Sequence, residues 1–309
     1  MHTTELKPLL KWVGGKRQLL PQLRRFYPAA FGKYIEPFFG SGAVFFDLHR
    51  AGVLGGRDVI LIDSNPDLVG CYEAVRDTPD DVFTALLELA SDYARDGRAH
   101  YYRVRDVLFN PNREEARRPD GRIAYTPRLA AMLLYLNRTG FNGLFRVNSR
   151  GAFNVPAGRY DRPRIADRER LMQVSAALAD PRVRLVWGSF TLAADWAAAG
   201  DFLYIDPPYA PLSPTSNFTS YTSPRFDTDA QRGLQQIVVG LAARGCHVLL
   251  SNSTALEITE LYDHNTDAKR VGLKALRVAA RRAVNSKASG RGHVDEYLIT
   301  NIAPQAAPC

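Results

Sequence analysis

Cysteine is scarce in this chain: three in 309 residues, at Cys71, Cys246 and Cys309, with no C-x-x-C pair. That excludes a disulfide framework and a thiolate zinc motif and fits a reducing compartment. The six histidines show no H-x-H or H-x-x-x-H spacing, so no metal is expected. No stretch approaches the roughly 18 consecutive apolar residues of a membrane helix, and the first thirty residues hold no apolar signal segment. Neither a membrane partner nor secretion is therefore expected. A complete G-x-G-x-x-G fingerprint is missing too, which weighs against a dinucleotide oxidoreductase. Lysine is absent from residues 98–170, although that segment carries 16 arginines.

What is present is charge, unevenly placed. The chain is +8 overall, with a pI near 9.5. Residues 98–170 set their 16 arginines against 7 acids, and residues 268–293 hold 8 basic residues and no acid. These two segments contain more than the whole surplus, leaving the remainder acidic. A polyanion such as nucleic acid is one partner that would explain this; a merely solvated arginine-rich surface is the other reading. With 46% hydrophobic residues the chain can bury one large or two modest cores, and its length favours an inserted or second domain.

Two glycine-marked turns precede helical patterns. Gly14-Gly15 leads into Leu19, Leu20, Leu23 and Phe26 at helical spacing, placing a helix start and two cations near Lys16. The pair suits an anion or simply an ordinary turn. The strand 33–38 runs into Phe39-Gly40-Ser41-Gly42 and a helix from about Ala43 to Arg50. A second strand from Asp58 to Ile62 ends at Asp63, 21 residues after Gly42. Strand, glycine turn, helix and a later acid is the opening of a nucleotide-binding half-fold, where such an acid meets ribose hydroxyls or caps the next helix. Residues 67–110 look helical with a break at Pro79, and 111–125 look like a loop. Thr126-Pro127 caps a helix carrying Leu129, Met132, Leu133 and Leu136 inward.

From Asn137 to Tyr160 the chain is rich in Gly, Asn, Arg and aromatics without periodicity. That suits a loop or hairpin that presents side chains rather than burying them. Arginine and asparagine can pair with base edges, and aromatics or leucine can wedge between bases. Further on, Arg168–Ala179 is helical, Val183–Trp187 a strand, and Leu192–Ala199 a helix. Residues 210–226, with Phe218 and Tyr221, look like a loop over a site. A helix, Asp229–Ala243, and a strand, Cys246–Leu250, follow. The basic segment 269–293 and the strand Glu296–Ile302 are expected to close the chain as a hairpin around the turn Asn285–Gly292.

The apolar strand Phe202-Leu203-Tyr204-Ile205 stops at Asp206-Pro207-Pro208-Tyr209. Two prolines stiffen the backbone at the carboxyl end of a strand, where open α/β sheets bind ligands. An acid, a fixed carbonyl and an aromatic ring there suit a planar base with an exocyclic amine.

The order K-W-x-G-G-K, E-P-F-x-G-S-G, I-D-x-N, N-R-x-G-F-N-G-L-x-R and D-P-P-Y resembles the Dam-type adenine-specific DNA methyltransferases (D12 class, α group) from Leu10 to about Leu298. The resemblance implies an α/β fold, a Rossmann-like methyltransferase sheet dependent on S-adenosylmethionine (AdoMet), with an inserted, mainly helical target-recognition domain. Residues 1–66 and 180–309 would form the catalytic part and 67–179 the insert. It implies AdoMet as cofactor, without a metal, held by Trp12, Gly14, Lys16, Glu36, Phe38, Gly40, Ser41, Gly42, Asp63, Phe190 and Asp206. Phe190 lies in Gly188-Ser189-Phe190, where the family often carries an acid. Asp206, Pro207, Pro208 and Tyr209 would be catalytic. Lys11, Arg138, Phe141, Asn142, Leu144, Arg146, Asn148, Arg150, Asn154, Pro156, Arg281, Arg282 and Lys287 would meet double-stranded DNA, within a GATC-like target. A cytoplasmic, nucleoid-associated monomer or weak dimer, with a cognate restriction endonuclease as genetic partner, is expected. The competing readings are a cytosine-N4 or RNA amino methyltransferase, and a silent DNA-binding protein on the same scaffold.

Overall fold

The computed structural model describes residues 6–12, 14–212, 226–281 and 293–305. Phe218, Tyr221, Arg282, Lys287, the turn Asn285–Gly292 and Cys309 lie outside these, as does the side chain of Arg281.

In chain order the regular elements begin with helix α1 (Leu20–Leu23), strand β1 (Tyr34–Glu36), α2 (Ala43–Arg50) and β2 (Val59–Asp63). Then come α3 (Pro66–Asp77), α4 (Pro79–Arg103), α5 (Asn110–Glu115), α6 (Pro127–Thr139), α7 (Arg168–Leu178) and β3 (Val183–Trp187). The chain continues through α8 (Leu192–Trp196), β4 (Phe202–Ile205), α9 (Thr228–Ala243), β5 (His247–Ser253), β6 (Lys274–Arg281) and β7 (His293–Thr300). The seven strands form one sheet in the order β3-β2-β1-β4-β5-β7-β6. By compactness the chain divides into two units: Met1–Gly15, Gly40–Val53 and Asp63–Trp187 in one, Lys16–Phe39, Leu54–Ile62 and Gly188–Cys309 in the other.

In the second unit β1, β4 and β5 run parallel, and β7 joins β5 antiparallel before pairing with β6. Strands β1 and β4 are neighbours, Tyr34 beside Phe202 and Ile35 beside Leu203. The chain leaves β1 towards β2 and returns to β4 on the other side, so the order reverses at this pair. At such a switch point two connections depart in opposite directions and leave a crevice at the strands' carboxyl ends. Asp206 follows β4 directly into it. The β4 residues are all buried, as expected of a strand covered on both faces. The expected terminal hairpin is present as β6 and β7.

The first unit is mainly helical. Helix α4 packs along α6, and α3 meets both α6 and α7. Thr126 caps α6 as expected, its hydroxyl accepting from the Leu129 N–H. Every residue from Leu129 to Asn137 is buried. The buried pair Arg113–Asp67 ties α5 to α3; the guanidinium donates to Asp67 at 2.7 Å and Tyr125 donates to the same carboxylate at 2.8 Å.

Several expectations need correction. Residues 16–26 do not form one helix but three short pieces, Lys16–Gln18, Leu20–Leu23 and Arg24–Phe26. Pro21 is the reason: without an N–H it is tolerated only in a first turn, so helix restarts around it. Residues 111–115 are helical, with Pro111 in the first turn of α5, the one place in a helix that accepts proline. Helix α8 stops at Trp196 instead of Ala199. Arg113, part of the arginine surplus, is 5% exposed and serves the interior.

Removing one member of a buried, hydrogen-bonded ion pair leaves the other charge uncompensated. Arg113→Met should therefore lower unfolding free energy by about 3–5 kcal/mol, measured by urea denaturation.

Candidate active site

The second unit builds a polar corner around Asp206. The Lys16 ammonium lies 2.8 Å from Asp206 Oδ1. The Ser251 hydroxyl donates to the same oxygen at 3.0 Å, and Ser251 Oγ also lies 3.2 Å from the Tyr204 hydroxyl. Burial pushes the Asp206 carboxyl above its ordinary range, and the Glu296 charge adds to this; Lys16 and Ser251 pull the other way. A nearly buried ammonium therefore helps keep a desolvated carboxylate ionised.

The rest of Asp206-Pro207-Pro208-Tyr209 is clamped from α9 and β5. Gln231 Nε2 donates to the Pro208 carbonyl at 2.9 Å. Asn252 Nδ2 donates to Gln231 Oε1 at 3.1 Å, and Asn252 Oδ1 accepts from the Ala210 N–H at 3.3 Å. Ser253 Oγ donates to the Ala210 carbonyl at 2.7 Å. Gln231 and Asn252 are buried, so these amides spend their hydrogen bonds on holding one loop. The Tyr209 hydroxyl donates to Glu296 Oε2 at 2.8 Å, and the Lys16 ammonium lies 4.5 Å from the centre of its ring.

At the end of β1, Glu36 is 2% exposed and accepts from the Tyr34 hydroxyl at 2.7 Å. Phe38 stacks on Phe190 with centroids 5.2 Å apart, and Phe226 meets both edge-on. This small aromatic surface has the flat, apolar character that a purine ring requires.

The first unit holds the glycine turn. Gly40 and Gly42 have φ of 50° and 73°, left-handed values that favour glycine, and Gly42 opens α2. The Gly40 N–H donates to Asp63 Oδ2 and the Asn65 N–H to Asp63 Oδ1, both at 2.8 Å. Burial raises the Asp63 carboxyl and these two donors lower it. Asn65 caps α3, accepting from Asp67 and Leu68, which leaves the acid outside the capping role. The Ser41 carbonyl accepts from the Tyr72 hydroxyl at 3.1 Å. Gly14 is exposed with φ 81°, and Trp12 stacks on Phe145 at 5.6 Å.

The expected base-reading stretch of the same unit is a compact, internally bonded loop. Bridges Gly140–Ala157 and Val147–Phe153 make it a distorted hairpin. It does not only present side chains: Phe153 and Val155 are buried, Phe153 against Phe109 and Phe145, because a loop this long needs its own anchor. Arg146 Nε donates to Asn154 Oδ1 at 2.8 Å, so these two residues meet each other. Asn148 Oδ1 accepts from the Arg150 and Ala152 N–H groups, closing the turn on which Arg150 stands exposed. Arg138 points inward, donating to the Leu9 carbonyl at 2.6 Å. Phe141 is 48% exposed and Asn142 has φ 54°, the one non-glycine with positive φ among the described residues. Leu144 is half-buried, and the Pro156 carbonyl accepts from the Phe141 N–H at 2.9 Å. The Lys11 ammonium lies 4.8 Å from the centre of the Tyr160 ring.

Five contributors were not singled out from sequence. Asn137 accepts from the Lys11 N–H at 2.8 Å and donates to the Lys11 and Gly143 carbonyls, clipping two expected DNA-facing segments together. Gly143 is required there, since a Cβ would lie 2.6 Å from Lys11 side-chain atoms. Ser251 and Asn252 had a legible signal: polar residues continuing an apolar strand. Gln231 and Glu296 had none, each being one polar residue in an amphipathic element. Among the described residues no group of three or more His, Cys, Asp or Glu side chains is gathered as for a metal ion, and no helix is long and apolar enough to cross a membrane.

The mixed sheet places an acid, two prolines and a clamped aromatic at its switch point, where open α/β folds bind their ligands. The family model of the D12 class N6 adenine-specific DNA methyltransferases matches residues 12–283. Known relatives agree. The chain is 38% identical over 299 residues to the type II methyltransferase M1.LlaDCHI of Lactococcus lactis subsp. cremoris, covering 96% of this chain and 95% of that one. It is 37% identical over 311 residues to the type II methyltransferase M.MjaIII of Methanocaldococcus jannaschii, covering 96% and 99%. It is 35% identical over 294 residues to the DNA adenine methylase of Escherichia coli strain K12, covering 94% of each. The chain belongs to the D12 class of N6 adenine-specific DNA methyltransferases.

Asn252 makes two hydrogen bonds that hold the loop after Asp206, one directly to Ala210 and one through Gln231. Asn252→Ala should cost about 1–3 kcal/mol of stability by orphaning buried groups. It should also slow methyl transfer more than it weakens AdoMet binding, as checked by thermal unfolding, calorimetry and single-turnover kinetics.

Proposed function

We propose that this methyltransferase transfers the methyl group of AdoMet to N6 of an adenine swung out of duplex DNA, within GATC. The observation that carries the reading is Asp206 at the carboxyl end of β4, paired with Lys16 and bonded by Ser251. The residues fit AdoMet by chemistry. Asp63 offers carboxylate lone pairs to ribose hydroxyls, and Gly40, Ser41 and Gly42 allow close backbone approach. Glu36 is a buried carboxylate suited to an ammonium, and Phe38 with Phe190 suits the adenine ring; Trp12, Gly14 and Lys16 complete the set. When bound, AdoMet supplies an already activated sulfonium methyl.

The amino nitrogen of adenine is a poor nucleophile because its lone pair is delocalised into the ring. Asp206 accepts a hydrogen bond from one amino hydrogen and the Pro207 carbonyl from the other, which favours a tetrahedral nitrogen and restores the lone pair. As the N–C bond forms the S–C bond to the donor would break, leaving its thioether, and one amino proton would leave through Asp206 to solvent. Pro207 and Pro208 stiffen that acceptor backbone, and Gln231 holds the next carbonyl. Tyr209 packs on the base and sets its angle. The rate gain comes from alignment and charge placement. The base must leave the duplex first, because its Watson–Crick edge is otherwise paired.

Residues 67–179 would carry target recognition. Lys11, Phe141, Asn142, Leu144, Arg146, Asn148, Arg150, Asn154 and Pro156 would read or wedge the duplex. Arg138 would support them from its bond to Leu9, and Arg281, Arg282 and Lys287 would contact phosphates. The names of the two type II relatives favour a cognate endonuclease as genetic partner. A cytoplasmic enzyme acting on the nucleoid as a monomer or weak dimer completes the reading.

Plasmid treated with the enzyme and AdoMet should resist an endonuclease that cuts only unmethylated GATC; full cleavage would sink the target assignment. Asp206→Ala should abolish transfer while the fold and much of the DNA binding persist, and near-parental activity would contradict the mechanism. Arg146→Ala should relax sequence choice by about 1–3 kcal/mol at one base pair; equal losses on all sequences would make Arg146 a phosphate contact.

A further inference from the structure

We propose that Glu296 is a positioning residue for methyl transfer, acting through the phenol of Tyr209; this rests on the reading of Tyr209 as the base-packing ring. Glu296 stands in the middle of β7, opposite Ser253 of β5 and Val278 of β6. Its backbone is therefore held by ladders on both sides. From there its carboxylate accepts the Tyr209 hydroxyl at 2.8 Å. Tyr209 itself sits on a proline-stiffened loop rather than on a regular element. The long-range bond, across 87 residues of chain, transfers the rigidity of the sheet to the ring. A second restraint comes from Lys16, whose ammonium lies 4.5 Å from the ring centre while also pairing with Asp206 at 2.8 Å. Lys16 thus couples the tilt of the ring to the carboxylate that receives the amino hydrogen.

The acceptor's charge has its own consequence. An anionic acceptor polarises the phenol O–H and enriches the ring in electron density. The ring face then attracts positive charge more strongly. Positive charge is what an adenine gains as the methyl group arrives on its amino nitrogen, so the effect is larger in the transition state than in the ground state. Neutral glutamine at 296 would keep the geometry and lose this part; alanine would lose both.

The test is a double-mutant cycle on the full-length protein. Single-turnover formation of N6-methyladenine is followed on plasmid DNA prepared without adenine methylation, at saturating AdoMet. Glu296→Ala should be slower by about 30- to 100-fold, the scale of a misplaced reacting group, with AdoMet affinity changed by less than about threefold. Glu296→Gln should recover to within about tenfold of the parent. In a Tyr209→Phe background, which has no hydroxyl to hold, Glu296→Ala should cost less than about twofold more. A parental rate for Glu296→Ala overturns the proposal, as does a loss equally large in the Tyr209→Phe background. If Glu296→Ala shows no cooperative unfolding, Glu296→Gln in the two backgrounds decides by the same criterion. A parent that forms no N6-methyladenine overturns the reading of the site itself, and the inference with it.

Discussion

The ion pair between Lys16 and Asp206 organises the candidate active site. Its ammonium and carboxylate are 8% and 19% exposed, so both ions have given up much of their hydration. Such a pair adds little net stability, because desolvation offsets most of the attraction. Its value lies in the charge state it enforces. A carboxylate in this setting tends towards the neutral acid, which would donate a hydrogen bond where the proposed chemistry requires an acceptor. Lys16 opposes that tendency, Ser251 adds a hydrogen bond to the same oxygen, and Tyr209 lies under the same ammonium. Gln231, Asn252 and Ser253 hold the backbone beyond this corner, through the Pro208 carbonyl and both backbone groups of Ala210.

How much of this was readable in the sequence follows from the range of each interaction. Local signals carried well: Thr126-Pro127 opens α6, and Phe202–Ile205 is a buried strand ending at Asp206. The terminal hairpin was legible from two polar-flanked runs, and the α/β class from strands alternating with helices. Long-range partners were not. Nothing in Lys-Arg at positions 16 and 17 indicates that the first residue pairs 190 positions away rather than closing an anion site. Glu296 is one acid in an alternating strand, and Gln231 is one of three glutamines on α9. Their roles exist only once the sheet order brings β4, β5 and β7 side by side.

The arginine surplus shows the limit of composition in the opposite direction. Arg113 serves a buried pair with Asp67, and Arg138 holds the carbonyl of Leu9. Arg146 and Asn154, read separately as base contacts, bond to each other. A preformed Arg–Asn pair costs less entropy to present to a duplex than two free side chains, so the loop's internal bonds are compatible with recognition. They also explain why its apolar residues divide, with Phe141 outward and Phe153 and Val155 inward. The family assignment gives the chemistry; in the proposed reading the loop decides where on DNA it is applied.

The central claim is that Lys16 keeps Asp206 ionised. The most direct measurement is the pH dependence of single-turnover methyl transfer, at saturating AdoMet and DNA, for the parent and Lys16→Met. In the proposed mechanism Asp206 acts as the carboxylate, so activity is lost as pH falls through its raised pKa. Burial and Glu296 push that pKa up; Lys16 and Ser251 hold it down. Removing the ammonium should therefore move the acidic limb to higher pH, because an opposite charge in direct contact is lost. A limb that stays in place, or moves to lower pH, would contradict the account.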